Sequence, residues 1–481
     1  MSPPPFTPKP DEVVSGAWLP RMFPLLQADL AAARIGSPTV HLLLAGLILP
    51  NLLSLASLSS LLDIGLPPRT SCIIFYSLLA VCARRLSFAV TAALFIALLC
   101  FDLTSTLALM FNLAPSELLA ALDHARRLHF FSSPLYVSLI GAMLATTLAT
   151  LYLLSRRERL AQGNVYVLLG AALAFAALDY ATNVSPQYQF GSLVGRNRPV
   201  VSAADASGFN AVAGTNGRNV ILVVVESLGY MEDPAKRARI DAPLANPRIT
   251  SKYVVTSGTA TYFGSTTSGE MRELCETRTF YSDYAPKYGY SCLPDLLHER
   301  GYASLAVHSF GGDMFEREQW YPRVGFDKEV FGSELLKQTG RACGSVFRGA
   351  CDADLAPVIA KEARLLASAG KPRFIYWLTL NTHIPVAPGD AHVNFRCAER
   401  DNAFGQATVC RMAELWHDFF GAVSQLALDP TIGPAEILIV GDHAPPLWSK
   451  RGRSMFAPGK VAWYRLTPRA TAVSADGTSW R

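Results

Sequence analysis

Acidic residues and histidines follow four short apolar segments in the second half of the chain. The segments and the residues after them are Val220–Val225 with Glu226, Ala303–Val307 with His308, Phe374–Leu380 with Asn381, Thr382 and His383, and Ile437–Val440 with Gly441, Asp442 and His443. Short apolar runs are typical of buried strands in a largely parallel sheet. In open α/β sheets the ligand crevice lies beyond the carboxyl ends of the strands. We therefore expect these polar residues to meet in one crevice.

Two carboxylates and three histidines in one crevice can bind a divalent metal ion. Such a site would leave a histidine for a substrate anion or a leaving group. Each residue alone is weak support, because a single histidine after a strand is more often a hydrogen-bonded structural residue, and Gly-Asp-His could be only a turn. The joint occurrence at four strand ends favours a functional site.

A candidate nucleophile lies in the segment from Phe263 to Met271, which is rich in serine, threonine and glycine. Unpaired backbone N–H groups and the helix dipole favour anions such as phosphate at a helix start. Thr267 and Glu270 have the spacing of a capping box, so we expect Thr267 to be the N-cap residue. Thr266, just ahead of the helix, would then keep a hydroxyl that a metal ion can activate. The alternative is an ordinary Ser/Thr-rich loop.

The composition of the chain indicates a membrane protein. Of its 481 residues, 50% are hydrophobic and 17% are charged, and the mean hydropathy is +0.23. These values are too apolar for one soluble domain and exclude a disordered chain. The long apolar runs are roughly Val40–Leu62, Thr70–Ala83, Leu86–Met110, Leu135–Leu154 and Val165–Tyr180. A span needs about 20 residues, or fewer when flanking side chains snorkel, so we expect five transmembrane helices.

Arginines between the apolar runs predict the topology. Arg84 and Arg85 separate the second and third runs, and Arg156 and Arg157 separate the fourth and fifth. The positive-inside rule makes both loops cytoplasmic. With a cytoplasmic N-terminal segment, five crossings place the later part of the chain outside. Asp102 is an acid in the third run, and it is either functional or close to the outer interface.

These features divide the chain into five expected parts. The parts are a cytoplasmic N-terminal segment (1–37), a transmembrane domain (38–182), a linker (183–217), an extracytoplasmic catalytic domain (218–467) and a tail (468–481). The linker is expected because that stretch has no periodic pattern. The catalytic domain is expected to have an α/β fold.

Cysteine usage agrees with an extracytoplasmic domain. Three cysteines lie in the apolar runs, and the other six lie in the C-terminal part. An even number there suits an oxidising compartment, although six cysteines allow 15 connectivities. Pairing by proximity predicts the disulfides Cys275–Cys292, Cys343–Cys351 and Cys397–Cys410. The six cysteines favour a location in a bacterial inner membrane, with the catalytic domain in the periplasm.

Five motifs resemble, in order and approximate spacing, those of the alkaline-phosphatase/sulfatase superfamily. The motifs are Asn219–Gly229, the segment around Thr266, His308 with Arg317 nine residues later, Thr379–His383 and Gly441-Asp442-His443. The sequence is most similar to the membrane-bound lipoteichoic-acid-synthase-like phosphoglycerol transferases, and more distantly to the lipid A phosphoethanolamine transferases. The resemblance implies a five-helix transmembrane domain followed by an α/β alkaline-phosphatase-like domain, whose largely parallel central sheet is flanked by helices.

The resemblance also implies a metal centre and a nucleophile. The implied metal ligands are Glu226, Thr266, Asp442 and His443. They would hold one divalent ion, Zn²⁺ or Mn²⁺, because carboxylate, hydroxyl and imidazole ligands suit either. Thr266 would also be the nucleophile. The chain has no Cys-x-Pro-x-Arg segment, which argues against a formylglycine sulfatase.

Three further motif residues would bind the substrate. By resemblance, His308, Arg317 and His383 hold the phosphate and the donor headgroup. Either histidine could act as general acid or base, and the arginine could grip the phosphate with two N–H groups. Phe315 stands where the family has tryptophan, which changes the expected headgroup contacts.

The implied reaction moves a phospho-alcohol group, phosphoglycerol or phosphoethanolamine, from a phospholipid donor to an extracytoplasmic glycan or glycolipid acceptor. It would proceed through a phosphothreonine intermediate. One alternative is a hydrolase of the same superfamily, sulfatase-like or a phosphodiesterase, with water as the acceptor. Another is a non-catalytic scaffold for envelope assembly. Nucleic acid is not an expected partner, because the net charge of +5 comes from scattered Lys and Arg.

Overall fold

The computed structural model describes residues 36–58, 63–111, 113, 118, 128–184, 200–284, 292–366 and 370–469. The expected cytoplasmic segment and tail fall almost entirely outside these ranges. The chain divides into two compact units. One unit comprises Met1–Leu52, Thr70–Leu98 and Ala145–Leu178, and the other comprises Leu53–Arg69, Leu99–Leu144 and Asp179–Arg481.

The five predicted apolar runs form helices over most of their described lengths. The helices are α1 (Ser37–Leu43), which continues as a π-helical turn (Leu44–Ile48), α2 (Leu52–Leu58), α3 (Thr70–Cys82), α4 (Phe88–Phe111), α5 (Pro134–Ser155), α6 (Arg157–Gln162) and α7 (Val165–Asn183). Among the described residues, α4, α5 and α7 are long and apolar enough to cross a membrane.

The expected number of five spans is not confirmed. The first run bends by 81° between Ser37–Ile48 and Leu52–Leu58. Pro50 lies in this break, and proline lacks the N–H group that continues a helix. If the bent pair counts as one span, the described residues contain up to four. Helix α3 has only 13 residues, which is short for a span of about 20.

A buried ion pair lies among the helical segments of the second unit. Arg69 pairs with Asp102, whose Oδ1 accepts from Arg69 Nε at 2.9 Å, and the two side chains are only 8% and 4% exposed. The backbone N–H of Arg69 donates to Asp179 at 2.8 Å. The acid of the third apolar run is therefore neutralised by a partner, as a charge in an apolar segment requires.

The second unit contains an eight-stranded sheet. Its strands are β1 (Asn219–Val225), β2 (Gly229–Met231), β3 (Tyr253–Thr261), β4 (Ala303–His308), β5 (Lys328–Phe331), β8 (Arg373–Leu378), β9 (Ala435–Gly441) and β10 (Phe456–Pro468), and β6 (Ala342–Cys343) pairs separately with β7 (Gly349–Ala350). The order is β2-β10-β9-β1-β8-β4-β5, with β3 also paired to β10.

The four predicted strands form the parallel centre of this sheet. Strands β9, β1, β8 and β4 are neighbours, and each adjacent pair is parallel. Strand β5 extends the parallel part, whereas β10 pairs antiparallel with β9, β2 and β3. The sheet is therefore largely parallel at its centre, as predicted, with an unpredicted antiparallel edge.

Helices of the second unit pack against the sheet. Beyond α7 they are α8 (Ala203–Ala206), α9 (Phe209–Val212), α10 (Pro234–Ile240), α11 (Pro247–Thr250), α12 (Thr266–Cys275), α13 (Leu293–Glu299), α14 (Arg317–Trp320), α15 (Gly332–Thr339), α16 (Ala356–Leu366), α17 (Ala407–Leu428) and α18 (Lys450–Arg453). Alternate residues of β1 belong to two separate cores, because successive side chains of a strand point to opposite faces. Ile221 packs in the same core as Trp416 of α17, and Leu222 packs with Met271 of α12.

Part of the expected linker is folded onto this unit. Residues 185–199 lie outside the described ranges. Ala203 and Ala204 of α8 and Phe209 of α9 are fully buried in the core that contains Leu222. Backbone N–H groups of α8 donate to Glu273 at 3.2 and 3.1 Å. Residues 200–217 are thus packed against the α/β domain.

The three predicted disulfides are confirmed. The bonds are Cys275–Cys292, Cys343–Cys351 and Cys397–Cys410. The first joins the end of α12 to the residue before α13. Each closes a short loop, and such links restrict the unfolded chain.

Candidate active site

The polar residues that follow the central strands meet at one edge of the sheet. Glu226 comes directly after β1, and Asp442 and His443 come directly after β9. Strands β1 and β9 are paired in register from Asn219 with Ala435 to Val225 with Gly441. Their side-by-side ends place the acids next to each other, as the sequence predicted.

Four side chains form a compact cluster at this edge. Ligand atoms of Glu226, Asp442 and His443 all lie within 4.8 Å of one another. Thr266 Oγ1 donates to Glu226 Oε2 at 3.1 Å and lies 3.4 Å from His443 Nε2. The structure thus brings together the four residues that the motif resemblance implies as metal ligands.

The donor atoms of this cluster fit a divalent cation. Asp442 Oδ2 is buried and makes no hydrogen bond among the described residues, although His443 Nε2 is 3.4 Å away. A buried carboxylate oxygen without a partner is costly, and a bound cation would satisfy it. Two carboxylates, an imidazole and a hydroxyl are ligands that Zn²⁺ or Mn²⁺ accepts. A second group, Cys397, Cys410 and Glu414, is also compact, but its cysteines are joined in a disulfide.

The electrostatics of the cluster reflect crowded negative charge. Burial and the charge of Glu226 raise the pKa of Asp442 to about 7. Burial alone would raise the pKa of Glu226 too, but His383 and His443 outweigh it and lower that pKa. Burial opposes protonation of His443, yet the charges of Asp442 and Glu226 raise its pKa. The site therefore has an excess of negative potential that favours a cation.

Backbone contacts hold Glu226 in place. Its N–H donates to Thr379 Oγ1 at 2.9 Å, and its carbonyl accepts from the hydroxyl of Thr382. Ser227 Oγ donates to Glu226 Oε1 at 2.7 Å, and the N–H of Ser227 donates to Asp442 Oδ1 at 2.7 Å. Ser227 has a φ of +57°, a left-handed conformation that is uncommon for serine and typical of constrained functional sites.

Helix α12, which carries Thr266, begins two residues earlier than predicted. Ser265 is the N-cap residue of α12 and Thr266 is its first residue, and the cap makes no side-chain hydrogen bond. The expected capping box of Thr267 and Glu270 is therefore wrong. Glu270 is fully buried and pairs with Arg317. The physical reason is tertiary: a buried cation outcompetes a local backbone N–H for the carboxylate.

Two residues of α12 that the sequence analysis did not nominate fix the helix against Asp442. A Cβ atom on Gly269 would lie 2.8 Å from Asp442 Cβ, so only glycine permits this approach. Arg272, which is fully buried, donates to the carbonyls of Gly441 at 2.7 Å and Asp442 at 3.0 Å. A glycine inside a helix was the one available signal, since it is unfavourable there without a packing reason.

The predicted phosphate-binding arginine is engaged with the protein. Arg317 is 2% exposed and donates to Glu270 Oε2 from Nη2 at 2.8 Å and from Nε at 3.1 Å. Tyr321 donates to Glu270 Oε1 at 2.5 Å, and Tyr376 donates to it at 3.1 Å. Burial would lower the pKa of Arg317, but the charge of Glu270 raises it, so the guanidinium stays charged.

The other predicted substrate residues lie around the cluster and the arginine. Burial, aided by the charge of Arg317, lowers the pKa of His308 well below its usual range, and its Nδ1 contacts the Leu378 carbonyl at 3.1 Å. Burial likewise lowers the pKa of His383. Both rings are therefore neutral near pH 7. Phe315 lies with its ring centre 5.4 Å from the Arg317 Cζ atom.

A buried aspartate, also missed from the sequence, holds the loop that carries His383. Asp352 Oδ2 accepts from the N–H groups of Leu380 at 2.9 Å and Asn381 at 2.8 Å, and Oδ1 accepts from the Ser309 hydroxyl. Burial raises the pKa of Asp352 to about 6. Asp352 directly follows the Cys343–Cys351 disulfide. Its sequence context did not mark it as a functional residue, because Asp-Ala-Asp is ordinary loop composition.

Residues 218–453 match the family model described as Sulfatase. The match spans all four members of the cluster and the substrate residues nominated above. Residues 218–453 are therefore a sulfatase-type domain, which agrees with the superfamily that the motifs resemble. No curated protein matches the chain.

Several solved structures are similar to part of this chain, with low sequence identity. The lipoteichoic acid synthase LtaP from Listeria monocytogenes is 17% identical with a TM-score of 0.38, over 52% of this chain and 65% of that one. The phosphoglycerol transferase GacH from Streptococcus pyogenes, in complex with sn-glycerol-1-phosphate, is 17% identical with a TM-score of 0.38, over 52% and 68%. The C-terminal periplasmic domain of EptC from Escherichia coli is 14% identical with a TM-score of 0.35, over 52% and 72%. The chain spans less than two thirds of the length of LtaP.

Proposed function

We propose that this chain is a metal-dependent membrane phosphotransferase. It would move a phospho-alcohol group, phosphoglycerol in preference to phosphoethanolamine, from a phospholipid to an extracytoplasmic glycan or glycolipid. The observation that carries the proposal is the position of Thr266 Oγ1, 3.1 Å from Glu226 Oε2 and 3.4 Å from His443 Nε2. A hydroxyl at a helix start, beside a cluster suited to a cation, is arranged for nucleophilic attack on phosphorus.

The reaction would consist of two displacements at phosphorus. Thr266 Oγ1 loses its proton and forms a bond to phosphorus, while the bond from phosphorus to the diacylglycerol oxygen breaks and that oxygen takes up a proton. The acceptor hydroxyl then loses its proton and attacks the phosphothreonine, which restores the Thr266 hydroxyl. A divalent ion held by Glu226, Thr266, Asp442 and His443 supplies a lower hydroxyl pKa and screens the phosphoryl charge.

Neutral histidines suit the proton transfers. His383 is close enough to the cluster for Glu226 to affect its pKa, and a neutral ring can accept a proton from an attacking hydroxyl or pass one to a leaving oxygen. We assign this role to His383 or His308, and headgroup contacts to Phe315. Arg317 would hold a phosphoryl oxygen with the N–H groups that bond neither to Glu270 nor to the Met314 carbonyl, which accepts from Nη1 at 3.1 Å, since guanidinium has five.

The proposed location follows from the order of the chain. Apolar helices precede the catalytic domain, and three of those in the described residues are long enough to span a membrane. We propose that all five apolar segments cross the bacterial inner membrane, which places residues 218–467 on the periplasmic side beside their lipid donors. The disulfides within this domain support an oxidising compartment. The catalytic domain would then act at the membrane surface.

Mass spectrometry of the protein incubated with phosphatidylglycerol or phosphatidylethanolamine tests the proposal. The expected adduct is a phospho-alcohol group on Thr266, and its mass identifies the headgroup. Thr266→Ala is expected to abolish both adduct and turnover. The matched control is Thr267→Ala, a neighbouring buried threonine, which should keep both. An equal, complete loss in the two variants would contradict the assignment of the nucleophile.

The match to a family described as Sulfatase supports one other candidate, a sulfatase-like hydrolase or phosphodiesterase that uses water as acceptor. Release of soluble glycerophosphate from labelled phosphatidylglycerol without any added acceptor would favour it. Full complementation of a deletion by Thr266→Ala would instead favour a non-catalytic scaffold. Transfer of label only when a glycan acceptor is present supports the transferase.

A further inference from the structure

A cavity with charged and apolar lining residues lies away from the candidate metal ligands. Its volume is about 330 Å³, and Thr182 and Asn183 of α7, Glu232, Lys450, Arg453 and Phe456 are among the residues that line it. No residue of the metal cluster lines it. The volume is within the range of small-molecule sites, about 300–1,000 Å³. The cavity is therefore large enough for a ligand of its own.

The charged residues of this cavity favour an anion. Lys450 and Arg453 contribute two positive charges, and Glu232 contributes one negative charge. Lys450 Nζ donates to the Ser57 carbonyl at 3.0 Å, and an ammonium has two more N–H groups for a ligand. Burial lowers the pKa of Arg453 to about 10, so its guanidinium stays charged at neutral pH.

A loop before the first long helix holds the two cations in place. Asp63 Oδ1 accepts from the Arg451 N–H at 2.9 Å, and the N–H of Gly65 donates to the Trp448 carbonyl at 2.6 Å. Arg453 Nη1 donates to the Gly65 carbonyl at 3.2 Å. Because these contacts tie the Lys450–Arg453 segment down at several points, little ordering is needed when an anion binds.

Position and apolar lining indicate a lipid rather than a free anion. Thr182 and Asn183 are the last two residues of α7, a helix long and apolar enough to cross a membrane. Val184, Phe456 and Pro458 add apolar wall. A site lined by both cationic and apolar side chains suits a headgroup attached to acyl chains.

We propose that this cavity binds the phosphodiester headgroup of an anionic phospholipid, with Lys450 and Arg453 as its cationic contacts. The site does not depend on the proposed transferase activity. It would hold a lipid at the end of α7 whether or not that lipid is a donor.

Photocrosslinking of the full-length protein tests this site. The protein is placed in phosphatidylcholine nanodiscs that contain a photoreactive phosphatidylglycerol, and labelled peptides are identified by mass spectrometry. We expect label on residues 450–458. Lys450→Gln should weaken labelling about tenfold, the effect of losing one charged hydrogen bond. Lys460→Gln, which removes a lysine that bonds to Thr261 instead, should leave labelling unchanged.

A variant that is expected to increase labelling distinguishes a loss of lipid binding from a loss of folding. Glu232→Gln removes the negative charge of the cavity, so it should increase labelling. Unchanged labelling in both Lys450→Gln and Glu232→Gln would overturn the proposal. Competition by inorganic phosphate or glycerol phosphate as effective as by phosphatidylglycerol would overturn the lipid assignment. Thr266→Ala should keep the label, so the labelling result can be interpreted even if the transferase proposal fails.

Discussion

The buried pair of Glu270 and Arg317 provides the sharpest test of how α12, the helix that begins at Thr266, is held in place. Glu270→Gln removes the charge but keeps an oxygen that accepts from Tyr321 and Tyr376. Arg317 would remain 2% exposed without its carboxylate. Breaking a buried ion pair on one side typically costs about 3–5 kcal/mol, because the other charge stays buried and unpaired. We expect a loss of that size in the free energy of unfolding.

A control and a double variant separate this effect from a general one. Glu362→Gln breaks a pair of similar length, 2.7 Å, whose lysine, Lys328, is 38% exposed, so it should cost less than about 1 kcal/mol. Glu270→Gln with Arg317→Met should recover most of the loss, because an apolar side chain replaces the unpaired guanidinium. Urea unfolding followed by near-ultraviolet circular dichroism measures all three.

The same variants test the two roles assigned to Arg317. If Arg317 also holds a phosphoryl oxygen, the double variant regains stability but not turnover. If turnover returns with stability, Arg317 serves only to position α12, and its place among the substrate-binding residues is refuted. A Glu270→Gln protein within about 1 kcal/mol of the wild type would refute the ion-pair argument itself.

Two further predictions concern the metal and the pH dependence. Asp442→Asn should lower the amount of bound metal measured by plasma mass spectrometry. Glu414→Gln should keep it, because Glu414 belongs to the second compact group, whose cysteines form a disulfide. Equal metal content in the two variants would contradict the ligand assignment. The folded-state pKa of Asp352 is raised to about 6, above the usual value of about 3.9, so its contribution to stability falls as pH rises from about 4 to about 6 and is level above that. Asp352→Asn, which mimics the protonated form, should therefore gain stability relative to the wild type across that window, by up to about 3 kcal/mol; a difference that does not change with pH would contradict this cause.

The central strands and the cluster of candidate metal ligands could be predicted because their signals are local. A fully buried parallel strand is a continuous apolar run, so β1, β4, β8 and β9 are visible in the sequence. Topology then brings the residues at their ends together, which is why Glu226 and Asp442 were found without a structure. Pairing cysteines by proximity succeeded for the same reason, since each pair closes a short loop.

The edges of the sheet and the number of membrane spans had no comparable signal. Strand β10 runs from Phe456 to Pro468 but alternates buried and partly exposed residues, and half-buried strands resemble loops in composition. The first apolar run has the hydropathy of one span, yet its two helices diverge by 81°. Hydropathy measures how apolar a segment is and does not measure its direction.

The sequence by itself determined which residues are candidates for the chemistry, because their types and their places after apolar runs are properties of the chain. The tertiary structure alone decided what surrounds them. Thr267 and Glu270 have capping-box spacing, but the fold buries Glu270 against Arg317, and Gly269 is needed only because Asp442 lies 2.8 Å from where its Cβ would be. Partners that are remote along the chain compete with local ones, and only their distances in the folded protein decide which contact is made.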